Sequence, residues 1–76
     1  MTIYECKRQA EDIGFNTAIF EADFPIGTLK CIWLDAYMGL FKVDAPELGL
    51  GDGYITINTI SEMFPNLVCK NLRLSE

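Results

Sequence analysis

Two runs of alternating apolar and polar residues, joined by a Pro-Ile-Gly segment at positions 25–27, constrain the fold of this chain more than any other feature. In residues 17–24 the apolar side chains share one face with few exceptions, and Glu21 and Asp23 lie on the other, whereas residues 28–35 are apolar on both faces. Period-two alternation is typical of a β-strand, and Pro with Gly between two such runs indicates a turn. The sequence therefore predicts a hairpin whose first strand has an acidic face and whose second strand is central in a sheet.

A helix is predicted before the hairpin. Thr2 and Glu5 have the spacing of a capping box, in which each side chain accepts a hydrogen bond from the backbone N–H of the other residue. Apolar residues then recur every three or four positions as far as Ile13, and Gly14 suits a left-handed cap. Because the apolar side chains of this segment are few and mostly small, we expect the helix to lie across a sheet.

Beyond the hairpin the sequence predicts two more strands, at residues 40–44 and 54–58. The residues between them, 45–53, are so rich in Gly and Pro that we expect an irregular loop. Thr59 and the glutamate three residues later repeat the capping-box spacing, but the proline that follows restricts the helix to about one turn. Residues 67–74 are expected to form either a last strand or a frayed tail.

Together these elements predict an α+β fold in one compact domain, residues 1–76. An N-terminal helix packs on a four- to five-stranded antiparallel sheet, and a short second helical turn lies near the C-terminus. Trp33 is expected in the core, with a place on a binding face as the alternative. The sheet face away from the helix is expected to expose an apolar patch rimmed by charge, which is typical of an interface. Its apolar members are Ile32, Leu34, Leu40 and Tyr54.

Negative charge is concentrated in two parts of the sequence. Residues 9–29 include Glu11, Asp12, Glu21 and Asp23 but no Lys or Arg. Residues 43–69 include Asp44, Glu47, Asp52 and Glu62 but no Lys or Arg, and the whole chain has a net charge of −5. Such a surface attracts basic partners and disfavours direct contact with nucleic acid or an anionic membrane. The alternative interpretation is an ordinary solvated surface with a modest excess of acids.

Few residues in the sequence are of the types that catalysis usually requires. The chain has no histidine, so the usual base for a Ser or Cys nucleophile is missing, and we predict that it is not an enzyme. Cys6, Cys31 and Cys69 are widely spaced and are expected to be reduced core residues. An enzyme with Cys31 or Cys69 as nucleophile is the alternative, and it requires a reactive thiol of lowered pKa.

No metal or cofactor site is predicted. Structural zinc requires four ligands, usually in close Cys and His pairs that this chain lacks. The glycine-rich residues 49–53 lack the Lys and Ser or Thr of a phosphate-binding loop, and the acids around them miss the EF-hand spacing for calcium. No apolar run has the length of a membrane span and no signal-peptide pattern is present, so we expect a cytoplasmic protein.

In size, acidity and compactness, the chain resembles the small proteins that phages and mobile elements use against host defence, of which anti-CRISPR proteins are the best known. The resemblance covers the whole chain in character and no motif. It implies a non-enzymatic inhibitor that occupies the nucleic-acid site of a nuclease or surveillance complex in the cytoplasm of a bacterial host.

We therefore predict an inhibitor that binds a basic surface of a host protein or ribonucleoprotein complex, without binding nucleic acid or a membrane itself. An alternative of a different class is a homodimeric or accessory structural subunit that uses the apolar sheet face or an edge strand. The predicted partner-binding residues are Glu21, Asp23, Ile32, Leu34, Asp44, Glu47, Asp52 and Tyr54.

Overall fold

The computed structural model describes residues 1–50 and 53–75, and it confirms the α+β architecture. Its strands form one antiparallel sheet in the order β4-β3-β2-β1-β5, so the second strand is central as predicted. The elements along the chain are α1 (Ile3–Ile13), β1 (Ala18–Phe24), β2 (Gly27–Asp35), β3 (Leu40–Val43), a 3-10 turn (Pro46–Leu48), β4 (Ile55–Thr56), α2 (Ile57–Met63) and β5 (Val68–Leu74).

Helix α1 begins at the predicted capping box. The Glu5 N–H donates to Thr2 Oγ1 at 3.1 Å, and the Thr2 N–H donates to Glu5 Oε1 at 2.9 Å. Gly14 ends the helix, but its φ of 165° is extended, so the predicted left-handed cap is wrong. Glycine fits there because a side chain would collide with Thr17 and Leu74. Within the described residues, no helix is long and apolar enough to cross a bilayer.

The core lies between the sheet and the two helices. Phe20, Trp33 and Phe41 project from three neighbouring strands, and their ring centroids are 5.2 to 5.5 Å apart. All three side chains are 0% exposed, which confirms Trp33 as a core residue. Contacts among these rings add to the stability that their burial already provides. From the helices, the core receives Ile3, Cys6, Ala10, Ile57 and Ile60.

The fourth strand and the second helix differ from the predictions. Strand β4 contains only two residues, and Ile57 and Asn58 already belong to α2. The helix is capped by Thr56, whose Oγ1 accepts the Thr59 N–H at 3.2 Å, and not by Thr59. It extends for seven residues, longer than the single turn predicted. The physical reason is burial, since helical spacing places both Ile57 and Ile60 in the core.

Two further segments are more regular than an irregular loop or a frayed tail, namely residues 45–53 and residues 67–74. Residues 45–53 contain the 3-10 turn and a backbone bridge, in which Ala45 and Leu50 exchange hydrogen bonds of 3.1 and 3.0 Å. The prediction of an irregular loop was therefore too simple. Strand β5 pairs with β1 along residues 68–74, so the choice between strand and tail is resolved as a strand.

Candidate partner-binding surfaces

Helices α1 and α2 contribute to the same core, on one face of the sheet. No element within residues 1–50 and 53–75 packs on the other face, which we call the open face. Its cross-strand neighbours are set by the register of β1 with β2 and β5, and of β2 with β3. The outward residues are Ile19, Glu21 and Asp23 of β1, Thr28, Lys30, Ile32 and Leu34 of β2, Leu40 and Lys42 of β3, Thr56 of β4, and Val68, Lys70 and Arg73 of β5. The exposed Asp44 continues the row of Leu40 and Lys42 just beyond the end of β3.

The predicted acidic face of the first strand is neutralised by β5. Arg73 Nη2 lies 3.4 Å from Glu21 Oε2, and Lys70 Nζ lies 3.2 Å from Asp23 Oδ1. Thr28 also donates a hydrogen bond of 2.7 Å to Asp23, and this bond and Lys70 lower the pKa of the Asp23 carboxyl. These two carboxylates are present on the surface as predicted, but their charge is offset within the chain.

Apolar side chains occupy the middle of the open face. Ile32 is 38% exposed and Leu34 is 43% exposed, as the alternation predicts. Ile19 is absent from the predicted patch, although it has the same parity as Glu21 on β1. In the structure Ile19 is opposite Ile32 and is only 8% exposed, yet it lies outside the core cluster. It therefore forms part of the base of the patch on the solvent side of the sheet.

A second candidate surface lies where the chain leaves β3. A cleft of about 560 Å³, which we call the loop cleft, is lined by Asp44, Tyr54, Ile55, Met63 and neighbouring residues. Asp44 is exposed, Tyr54 is 64% exposed, and Glu47 is exposed in the 3-10 turn that follows β3. Within the part of the chain that is described, neither Asp44 nor Glu47 forms an ion pair.

The predicted binding residues thus fall into two sets. The structure brings Glu21, Asp23, Ile32 and Leu34 onto the open face. Asp44 and Tyr54 line the loop cleft, and Glu47 lies in the turn that adjoins it. Asp52 lies outside the described residues.

The sheet edges offer little room for pairing with another strand. The backbone N and O of Met1 bond to Cys69 O and N at 2.9 and 2.8 Å, which occupies the outer edge of β5. Further along that edge, Asn71 has a φ of 56° and its carbonyl accepts a hydrogen bond from Arg73. The opposite edge is the two-residue β4. Interruptions of this kind limit edge-to-edge association.

The three thiols are enclosed in the core. Cys6, Cys31 and Cys69 are free and 0% exposed. Burial raises the pKa of Cys31 to about 12, and hydrogen bonding with Cys6 together with burial raises the pKa of Cys69. Neither has the low pKa and access to solvent of a reactive nucleophile. Among the described residues, no three His, Cys, Asp or Glu side chains are arranged to hold a metal ion.

The loop cleft and the open face are both suited to binding a protein partner, because each combines exposed apolar side chains with charge. Comparison with models of protein families, with curated proteins and with solved structures finds no match to this chain.

Proposed function

We propose that this chain is a non-enzymatic inhibitor that binds, through its loop cleft, a basic protein surface that otherwise contacts nucleic acid. One observation supports this above all. The exposed carboxylates of Asp44 and Glu47 adjoin an apolar cleft and are free of ion pairs within the described residues. Their charge is therefore available to a partner, unlike that of Glu21 and Asp23.

The lining of the cleft fits Lys or Arg side chains of a partner. Such side chains bury their aliphatic stems against apolar surface while the charged head remains at the rim. Ile55 and Met63 supply apolar surface, and Asp44 supplies a carboxylate. Tyr54 is a large aromatic side chain in an exposed position, and aromatic residues often dominate the energy of binding.

In this proposal, the partner is a nuclease or a surveillance ribonucleoprotein of a bacterial host, and the inhibitor acts in the cytoplasm. The support is the likeness in size and acidity to anti-defence inhibitors, together with the net charge of −5. A surface that normally holds phosphates carries Lys and Arg, which the carboxylates around the cleft attract. Occupation of that surface excludes nucleic acid without any chemical step.

The test compares the native chain with Asp44→Lys and with Asp12→Lys. Asp12 is an exposed acid on α1, so its reversal gives the same change of charge away from the cleft. In the first step, each protein is immobilised and used to capture complexes from a bacterial lysate. In the second step, the captured complex is eluted, free protein is added to it, and its binding of nucleic acid is measured. We expect Asp44→Lys to weaken capture about tenfold, because reversal of an interfacial charge changes binding by roughly 1–2 kcal/mol. Asp12→Lys should retain capture, and the native chain should block nucleic-acid binding.

Equal capture by Asp44→Lys and native protein would contradict the proposal, as would a captured complex that still binds nucleic acid. The competing candidate is a homodimeric or accessory subunit, which the exposure of Ile32 and Leu34 on the open face favours. That candidate predicts a dimer mass at micromolar concentration with little dependence on salt. Sedimentation equilibrium at low and high salt distinguishes the two.

A further inference from the structure

Large apolar side chains are exposed where two turns meet, one between α1 and β1 and the other between β2 and β3. The Ala36 N–H of the second turn donates to the Phe15 carbonyl of the first at 2.9 Å. The exposed side chains are Phe15, Tyr37 and Met38, and we call this cluster the aromatic end. It lies before the start of β3, whereas the loop cleft lies beyond the end of that strand. The two surfaces share none of the described residues.

The two rings of the aromatic end are held in place beside the C-terminus of α1. The ring centroids of Phe15 and Tyr37 are 5.3 Å apart, and the Tyr37 hydroxyl donates to the Glu11 carbonyl at 3.2 Å. Tyr37 is nevertheless 60% exposed and Phe15 is 39% exposed. An aromatic pair that is both positioned and accessible is typical of a binding surface, because aromatic side chains often dominate the energy of binding.

The rings and the end of the helix both favour a cation. The face of an aromatic ring carries negative potential, and so does the C-terminus of a helix. The last turn of α1 contains no basic residue that would offset this potential. One turn earlier, Lys7 pairs with Glu11. Arg8 precedes Asp12 by four residues, so these two charges also oppose each other on one side of the helix.

The turn between β2 and β3 adds little charge of its own. The Asp35 carboxylate accepts the Met38 N–H at 3.2 Å. Lys42 also lies diagonally across the β2–β3 pair from Asp35, since Leu40 is opposite Asp35 and Lys42 follows two residues later. The attraction for a cation therefore comes from the ring faces and from the helix end.

We propose that the aromatic end is a second docking site, and that its occupant is an arginine side chain on an apolar segment of a partner protein. A guanidinium group stacks on aromatic faces, and its planar fork of donors suits carbonyl oxygens such as those at the helix end. The aliphatic stem of arginine packs on apolar surface, which Met38 supplies. Because the site shares none of its described residues with the loop cleft, it is tested separately from the inhibitor proposal.

The test is an NMR titration of the isotope-labelled chain with a short peptide in which one Arg is flanked by Leu on each side. The comparison peptide has citrulline, an uncharged analogue of similar shape, in place of Arg. We expect the Arg peptide to shift the amides of residues 11–15 and 36–38, and the citrulline peptide to bind there about threefold more weakly.

Two variants locate the site. Tyr37→Leu keeps an apolar side chain but removes the ring, so it should weaken binding of the Arg peptide about threefold. Tyr4→Leu is the matched control, since Tyr4 is an exposed tyrosine in the first turn of α1, and it should retain native affinity. Thermal unfolding confirms that both variants are folded.

Four results would overturn the proposal. The two peptides shift the amides of the aromatic end equally, which would reflect apolar contact alone, or Tyr37→Leu retains native affinity. The same amides shift with protein concentration alone, which would indicate a second copy as occupant. Alternatively, the Arg peptide shifts only amides of the loop cleft, such as those of Asp44 and Tyr54, which would support the inhibitor proposal and contradict this one.

Discussion

At the scale of single residues, Gly39 is a position where both the backbone conformation and the packing require a residue without a Cβ atom. Its φ of 71° is left-handed, and an added Cβ would lie 3.0 Å from Ile57 Cγ1. The Gly39 carbonyl also accepts the Ile57 N–H at 2.9 Å, which holds the start of α2 against this turn. A left-handed conformation costs a residue with a Cβ about 1–2 kcal/mol. The turn before β3 and the first residue of α2 are therefore coupled through this glycine.

We expect Gly39→Ala to lower the free energy of unfolding by about 2 kcal/mol or more, because backbone strain and contact with Ile57 act together. Gly49→Ala is the matched control, since its φ is 76° but, among the described residues other than its two chain neighbours, no atom lies within 4 Å of the added Cβ. It should lose only the cost of the backbone strain. Urea denaturation measures both, and equal losses would mean that the contact with Ile57 contributes nothing.

At the scale of elements, the start of α2 decides how the C-terminal half is arranged. Thr56 serves both as the last residue of β4, opposite Leu40, and as the helix cap. Thr56→Ala should lower the free energy of unfolding by about 1 kcal/mol, because the Thr59 N–H loses its acceptor. Thr59→Ala removes the acceptor of an exposed 3.0 Å hydrogen bond from Thr56 Oγ1 but leaves the Thr59 N–H capped, so it should cost less. A larger loss for Thr59→Ala in the same urea measurement would contradict this assignment of the cap.

The start of α2 also shows which secondary-structure elements could be predicted from the sequence and which could not. The capping box at Thr2 and the hairpin of β1 and β2 depend on neighbouring residues, and both were predicted. Residues 54–58 fit a strand by alternation, but a window so short also fits the first turn of a helix. Burial of Ile57 and Ile60 against the sheet favours the helix, and this contact is not visible in local spacing.

At the scale of the whole molecule, the candidate site was only partly predictable for a related reason. The exposure of Ile32 and Leu34 follows from the parity of β2. The neutralisation of Glu21 depends instead on β5 lying beside β1, which brings Arg73 from a distant part of the sequence. Four of the six basic residues lie on the open face as a result, namely Lys30, Lys42, Lys70 and Arg73. The basic residues are therefore concentrated on one face of the molecule, and the surface is not uniformly acidic.

The core thiols report on the cooperativity of the whole fold. Cys31 lies on β2, Cys6 on α1 and Cys69 on β5, and all are 0% exposed. Burial raises the pKa of Cys31 to about 12, so at mildly alkaline pH its thiol stays protonated in the folded state and ionises after unfolding. Hydrogen bonding with Cys69 lowers the pKa of Cys6, but burial still excludes a reagent from it.

We therefore expect a thiol reagent to label all three cysteines slowly and only through global unfolding, with rates that rise together and exponentially as urea lowers the free energy of unfolding. Gly39→Ala should accelerate the labelling of all three cysteines by the same factor, because it destabilises the whole domain. Mass spectrometry of the labelled peptides gives each rate separately. One cysteine that reacts rapidly in the native protein, while the other two do not, would show a local opening and would restore a thiol nucleophile as a candidate.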